Sequence, residues 1–230
     1  VSNILLDAGP IISLTTNNLL WILERLRKQA KSSFSIVSSV KREIVDRPLM
    51  TKKFKFEALQ VERLIEQGIL QVIDLPALKS TALRLLDLAN NTFWAHHAPI
   101  RIVQLGEMET LAAAVEQRSN RVVVDERITR SLLESPEQLQ RLMEQRLHTQ
   151  LHVDTGRLEE FRTYVRHVEL IRSAELVTIA YERGLLNDFV VKVPNAHREL
   201  LESVLWGVKL NGCSISEQEI NTLVQMELRQ

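Results

Sequence analysis

Cysteine is all but absent. Cys213 stands alone, which excludes an internal disulfide framework and any cysteine-based zinc site, and suits a reducing compartment. With 7 glycines and 6 prolines in 230 residues, the chain is too poor in turn formers for a sandwich or barrel, and its composition leans helical. Neither sign of charge prevails, with 29 Lys plus Arg against 29 Asp plus Glu. No global field therefore draws the chain to nucleic acid or membrane, and a local patch must meet any such partner. Long apolar runs are also missing. The longest early uncharged stretch, Ala8 to Leu23, contains Thr15, Thr16, Asn17 and Asn18 and is no bilayer span. It follows Asp7 with no basic residues before it, so no secretory signal is expected and the protein reads as cytoplasmic. What is present, 45% apolar and 25% charged residues, is enough for one large globular core.

The apolar run NILL stops at Asp7 and Gly9-Pro10, the pattern of a buried strand ending in a turn. Leu19, Leu20, Ile22, Leu23 and Leu26 then recur at helical spacing. A second strand at Phe34 to Val37 runs into Ser38-Ser39, N-caps for a helix carrying Val40, Glu43 and Ile44. Lys52, Lys53 and Lys55 begin a helix that reaches Gly68, and a strand follows at Ile69 to Ile73. Pro76 opens the next helix, and Gly106 precedes another at Glu107 to Val115. Arg121 to Val124 delivers three consecutive valines straight onto Asp125. Strands alternating with helices of this length predict an α/β fold, a central, mostly parallel sheet covered on both faces. Beyond Ile128 the sequence reads as almost entirely helical, except for a short strand at Val190 to Val193. Ser216 and Glu219 are spaced as the capping box of a last helix.

Four acids fall at informative places: Asp7 and Asp125 after strands, Glu43 and Glu109 early in helices. In an open parallel sheet the carboxyl ends of the strands border one crevice where strand order reverses. Clustered carboxylates repel one another unless protons or cations intervene. Hard Mg²⁺ or Mn²⁺ suits an all-oxygen site, and the chemistry that fits is metal-assisted phosphodiester hydrolysis.

ILLDAGPIISL, SSVKREI, GEMETLAAA and VVVDERITR resemble, in order and character, the four motifs of the PIN-domain ribonucleases. The D-x-G-P opening and the G-E-x-E helix resemble the prokaryotic branch related to type II toxin–antitoxin (VapC-like) toxins, as do SAELVTIAYERGLL and RELLESVLWGVKLNGCSIS in the tail. The resemblance implies a PIN-like three-layer α/β/α fold with extra C-terminal helices. Its expected parts are a nuclease core over 1–134, inserted amphipathic helices over 135–171, and a helical extension over 172–230. It further implies a cytoplasmic Mg²⁺- or Mn²⁺-dependent endoribonuclease acting on single-stranded or structured RNA, a cognate antitoxin as partner, and a homodimer.

By this resemblance Asp7, Glu43, Glu109 and Asp125 hold the metal and activate water, with Glu107, Glu126, Arg127 and Arg130 as auxiliaries. Glu109 takes the ligand role over Glu107 because residues two apart face different sides of a helix. Two departures stand out. Gly9 replaces a Thr or Ser whose hydroxyl supports the site, leaving Ser13 or Thr15 as substitutes, and Asp125-Glu126 replaces a paired Asp-Asp. These departures and the long insertion keep two alternatives open: a PIN-fold binding or scaffold subunit with weak or no nuclease activity, and a nuclease acting on DNA.

Plainer readings exist for each residue. Asp before Gly-Pro is an ordinary turn, and acids in a first helical turn favour the macrodipole without any function. Adjacent His96-His97 lack a third ligand and read as loop residues. Trp21, Trp94 and Trp206 read as core or dimer-face residues, and Cys213 as a core thiol. The basic runs Arg25-Arg27-Lys28-Lys31, Lys41-Arg42 and Lys52-Lys53-Lys55 are solvated faces unless they border the crevice, where they would track a phosphate backbone.

Overall fold

A computed structural model describes residues 3–30, 32–119 and 121–228. Lys31 of the first basic run therefore lies outside the described residues. In chain order the elements begin with β1 (Asn3–Leu6), α1 (Ala8–Thr16), α2 (Ile22–Ala30), β2 (Ser33–Val37) and α3 (Ser38–Lys41). Helix α3 runs through a π-helical turn (Arg42–Asp46) into α4 (Arg47–Leu49). There follow α5 (Lys55–Glu66), β3 (Leu70–Ile73), α6 (Leu78–Asn90), β4 (Phe93–Ala95), β5 (Ala98–Pro99), α7 (Leu105–Gln117) and β6 (Arg121–Val123). The remainder comprises α8 (Arg127–Glu134), α9 (Pro136–Leu147), β7 (His152–Val153), α10 (Thr155–Val165), β8 (Glu169–Ile171), α11 (Ser173–Glu182), a 3-10 turn (Asn187–Phe189), α12 (Ala196–Leu210) and α13 (Glu217–Glu227).

The central sheet has the order β3-β2-β1-β6-β8, with every pairing parallel. Leu5, Leu6, Ile36, Val37, Val122 and Val123 are fully buried, as expected of strands covered on both faces. On one side α6, α7 and α10 pack together, with α7 against β1, β2 and β6. On the other, α2 lies on β2 and α11 on β8, while α12 packs on α1 and α11 and carries α13. This is the expected three-layer α/β/α fold with added C-terminal helices. Strand order reverses between β1 and β6, so the crevice of the sheet opens beyond their carboxyl ends.

Two expectations need correction. Segment 135–171 forms helices α9 and α10, but it also supplies β8, which pairs with β6 as an edge of the main sheet. The three-residue strand, followed at once by Arg172, lacks the apolar run that marks a buried strand in sequence; its edge position leaves Leu170 and Ile171 only half-buried. Val190 to Val193 forms no strand. Val191 and Val193 are 61% and 46% exposed beyond the 3-10 turn, so they have no core face to alternate toward. His96 and His97 are the exposed central pair of the β4–β5 hairpin, both at positive φ, as a two-residue primed turn requires. No described helix is long and apolar enough to cross a membrane.

Candidate active site

The β1–β6 ladder ends where the Asp7 N–H donates to the Val123 carbonyl at 3.0 Å. Asp7 thus emerges at the switch point, with Asp125 two residues beyond the neighbouring strand. A crevice of about 350 Å³ opens there, lined by Asp7, Glu43, Glu107, Asp125 and Glu126, with Ser39 and Gln104 on its walls. Glu43 reaches it from the π-helical turn after β2, a local widening of the helix that recurs at functional sites. Glu126 caps α8 through the Ile128 N–H at 3.3 Å.

Helix α7 contributes a different acid from the one anticipated. Glu107 lines the crevice, whereas Glu109 is not among its lining residues. Thr110, one turn after Glu107, is fully buried and donates to Asp7 Oδ1 at 3.4 Å, so the 107–110 face of the helix is the one turned to β1. Glu107 is fixed as the N3 member of a capping box with Gln104. Its Oε2 accepts from the Gln104 N–H at 3.3 Å and the Thr129 hydroxyl at 3.0 Å, while Oε1 accepts no hydrogen bond among the described residues. Gln is not one of the residues that mark an N-cap in sequence, so nothing in the local pattern set Glu107 apart from Glu109.

Asp125 is only 2% exposed, and its carboxylate is heavily engaged. Oδ1 accepts from the Ser173 N–H at 2.8 Å; Oδ2 accepts from the Ser173 hydroxyl at 2.8 Å and the Ser13 hydroxyl at 3.1 Å. Ser13 therefore brings a hydroxyl to an acid of the site, while Thr15 only returns to the Ile11 carbonyl. A Cβ on Gly9 would lie 3.6 Å from Asp125 Cβ, an ordinary contact. Arg172 anchors this corner: its guanidinium pairs with Glu175, with Glu219 of α13 at 2.7 Å and with the Ser214 carbonyl at 3.2 Å.

The basic auxiliaries lie elsewhere. Arg127 is exposed outside the crevice lining, and Arg130 turns to Glu134 at 3.0 Å.

The crevice is electrostatically loaded. Burial pushes the Asp7 carboxyl up to about 6, and the charges of Glu43 and Asp125 push it the same way against the Ala8 N–H and Thr110. Glu107 is also raised, chiefly by burial, with Asp7 and Glu126 adding repulsion. A cation relieves such strain. Among the described residues no three His, Cys, Asp or Glu side chains converge into a ready-made cation cage. Mg²⁺ does not require one, since it keeps several waters and binds through one or two carboxylates plus substrate phosphate. The all-oxygen donor set and the buried Ser39 hydroxyl on the same wall, which has no hydrogen-bond partner among the described residues, fit a hydrated hard cation.

Residues 3–138 match a family model described as a PIN domain (DUF3368). The chain belongs to the PIN-domain family. Its PIN domain places the four motif segments around the crevice, and β8, α11 and the tail complete the fold beyond the matched region. The chain is also similar to a chain of the crystal structure of VapBC2 from Rickettsia felis bound to a DNA fragment from their promoter. That likeness has 12% identity and a TM-score of 0.43, and covers 74% of this chain and 98% of that one. No curated protein matches.

Proposed function

We propose that this PIN-domain protein is a Mg²⁺- or Mn²⁺-dependent endoribonuclease of toxin type. The observation that carries the reading is that Asp7, Glu43, Glu107 and Asp125 all line one crevice at the switch point, where burial, with the charges of Glu43 and Asp125 adding to it, raises the Asp7 carboxyl. Asp7 and Glu107 would hold the hydrated cation directly, with Glu43 reaching it through water. When bound, the ion would supply Lewis acidity toward a phosphodiester and lower the pKa of a water, so that hydroxide is available as the nucleophile. Asp125 acts as a positioning residue: through Ser13 and Ser173 it locks α1 and α11 onto the end of β6. Thr110 and Thr129 orient Asp7 and Glu107 in the same way. Attack of water on phosphorus with loss of the 3′-oxygen leaves 5′-phosphate and 3′-hydroxyl ends.

The motif resemblance supports an antitoxin that blocks the crevice with a cationic side chain, as well as a homodimer. A second reading, a PIN-fold scaffold with a weak centre, is favoured by the Asp125 carboxylate, which is buried and already accepts three hydrogen bonds. Incubating labelled single-stranded RNA and DNA with either ion separates the readings: cation-dependent cutting of RNA supports the first, cutting of DNA alone redirects the substrate, and no cutting supports the scaffold.

A further inference from the structure

A second cavity, of about 160 Å³, adjoins the crevice and shares Glu43 and Ile12 with it. It lies between α1, the π-helical turn, α4 and α5. Its walls are mostly apolar, with Ile12, Ile44, Pro48, Phe54 and Val61 among them, and Glu57 adds a carboxylate. No ion pair is formed by Glu57 among the described residues. Phe54 is the N-cap of α5 and sits at φ 60 and ψ 18, a left-handed conformation that a bulky side chain disfavours and glycine accepts freely. The ring is 48% exposed, and Lys53 Nζ stands 4.6 Å from its centroid.

The segment leading into α5 reads Lys52-Lys53-Phe54-Lys55-Phe56, all of it exposed. Cations that track phosphates, interleaved with rings that stack on bases, are the apparatus of single-strand recognition. Resting on the nuclease reading of the adjoining crevice, we propose that this cavity is a subsite for a guanine base of single-stranded RNA. The base stacks against Phe54, the neighbouring lysines hold the flanking phosphates, and Glu57 accepts from the edge of the base. Guanine presents two adjacent N–H donors on its Watson–Crick edge, the pattern that one carboxylate accepts with both oxygens. The apolar walls exclude water, so a base offering a single donor there leaves acceptor capacity unmet. Strain at Phe54 is the expected cost of presenting a ring where the backbone favours none.

The test maps cuts in a mixed-sequence single-stranded RNA by wild type, Phe54→Gly and Glu57→Gln, alongside anisotropy of labelled G-rich and U-rich oligonucleotides. Phe54→Gly suits the left-handed backbone and Glu57→Gln is nearly isosteric, so circular dichroism should show both folded. Wild type should cut at a fixed offset from guanine, and both variants should lose that preference by about tenfold or more. Cutting with no guanine bias, unaltered in either variant, would overturn the subsite and leave the nuclease intact. Guanine-dependent binding lost in both variants, without any cutting, would keep the subsite and overturn the nuclease. Neither cutting nor RNA binding would overturn both and leave the cavity to a protein partner.

Discussion

Asp7→Asn should make the cation-free protein more stable while removing its activity. Asp7 is partly buried beside Glu43 and Asp125, and its carboxyl is raised from 3.8 to about 6. Between these values the folded protein keeps a proton that the unfolded chain has released. The unfolded state then binds fewer protons, so stability falls as pH rises through this window and the whole cost is present above about pH 6. At about 1.4 kcal/mol per tenfold change in acidity, the ceiling is about 3 kcal/mol. For a chain of this length that is roughly 6–12 °C in melting temperature. Asparagine keeps an acceptor for Thr110 and carries no charge, so it should recover most of this at neutral pH and almost none near pH 4. Mg²⁺ should raise the melting temperature of wild type and leave the variant unmoved. The assay is thermal unfolding across pH in chelator and then in Mg²⁺. A variant less stable than wild type at neutral pH, or one retaining the wild-type slope, would refute the reasoning.

Glu107→Gln should lower cleavage by about 100-fold or more, while Glu109→Gln stays within about threefold; steady-state rates on one RNA check this. Asp125→Ala should cost about 3 kcal/mol in denaturant unfolding, because it strands the Ser173 N–H and two hydroxyls in a buried corner. Cys213 should resist alkylation at pH 8 until the protein unfolds, since burial and the Asp125 charge push its thiol up to about 12; rapid labelling of the native protein would count against the described corner.

Strands β1, β2, β3 and β6 were legible in the sequence because each is an apolar run closed by a turn or a charge. β8 was not, since an edge strand of three residues buries too little to impose a pattern. Asp7, Glu43 and Asp125 could be placed because strand ends and the helix starts beside them converge in any parallel sheet. The choice between Glu107 and Glu109 depended on rotational phase. Starting α7 at Leu105 aligns Thr110 with Glu107 toward Asp7, and a one-residue difference in the assumed start turns the helix by about 100°. The commitment of Asp125 was hidden for another reason: its partners, Ser13 and Ser173, lie 112 and 48 residues away.

The most direct test of the central claim is cleavage of end-labelled single-stranded RNA by wild type and Asp7→Asn, with Mg²⁺, with Mn²⁺ and with chelator. Cutting that requires the cation, leaves 5′-phosphate ends and disappears in the variant is the predicted result. Equal cutting by both proteins, or none by wild type with either ion, would contradict the assignment of the acidic crevice as a nuclease centre.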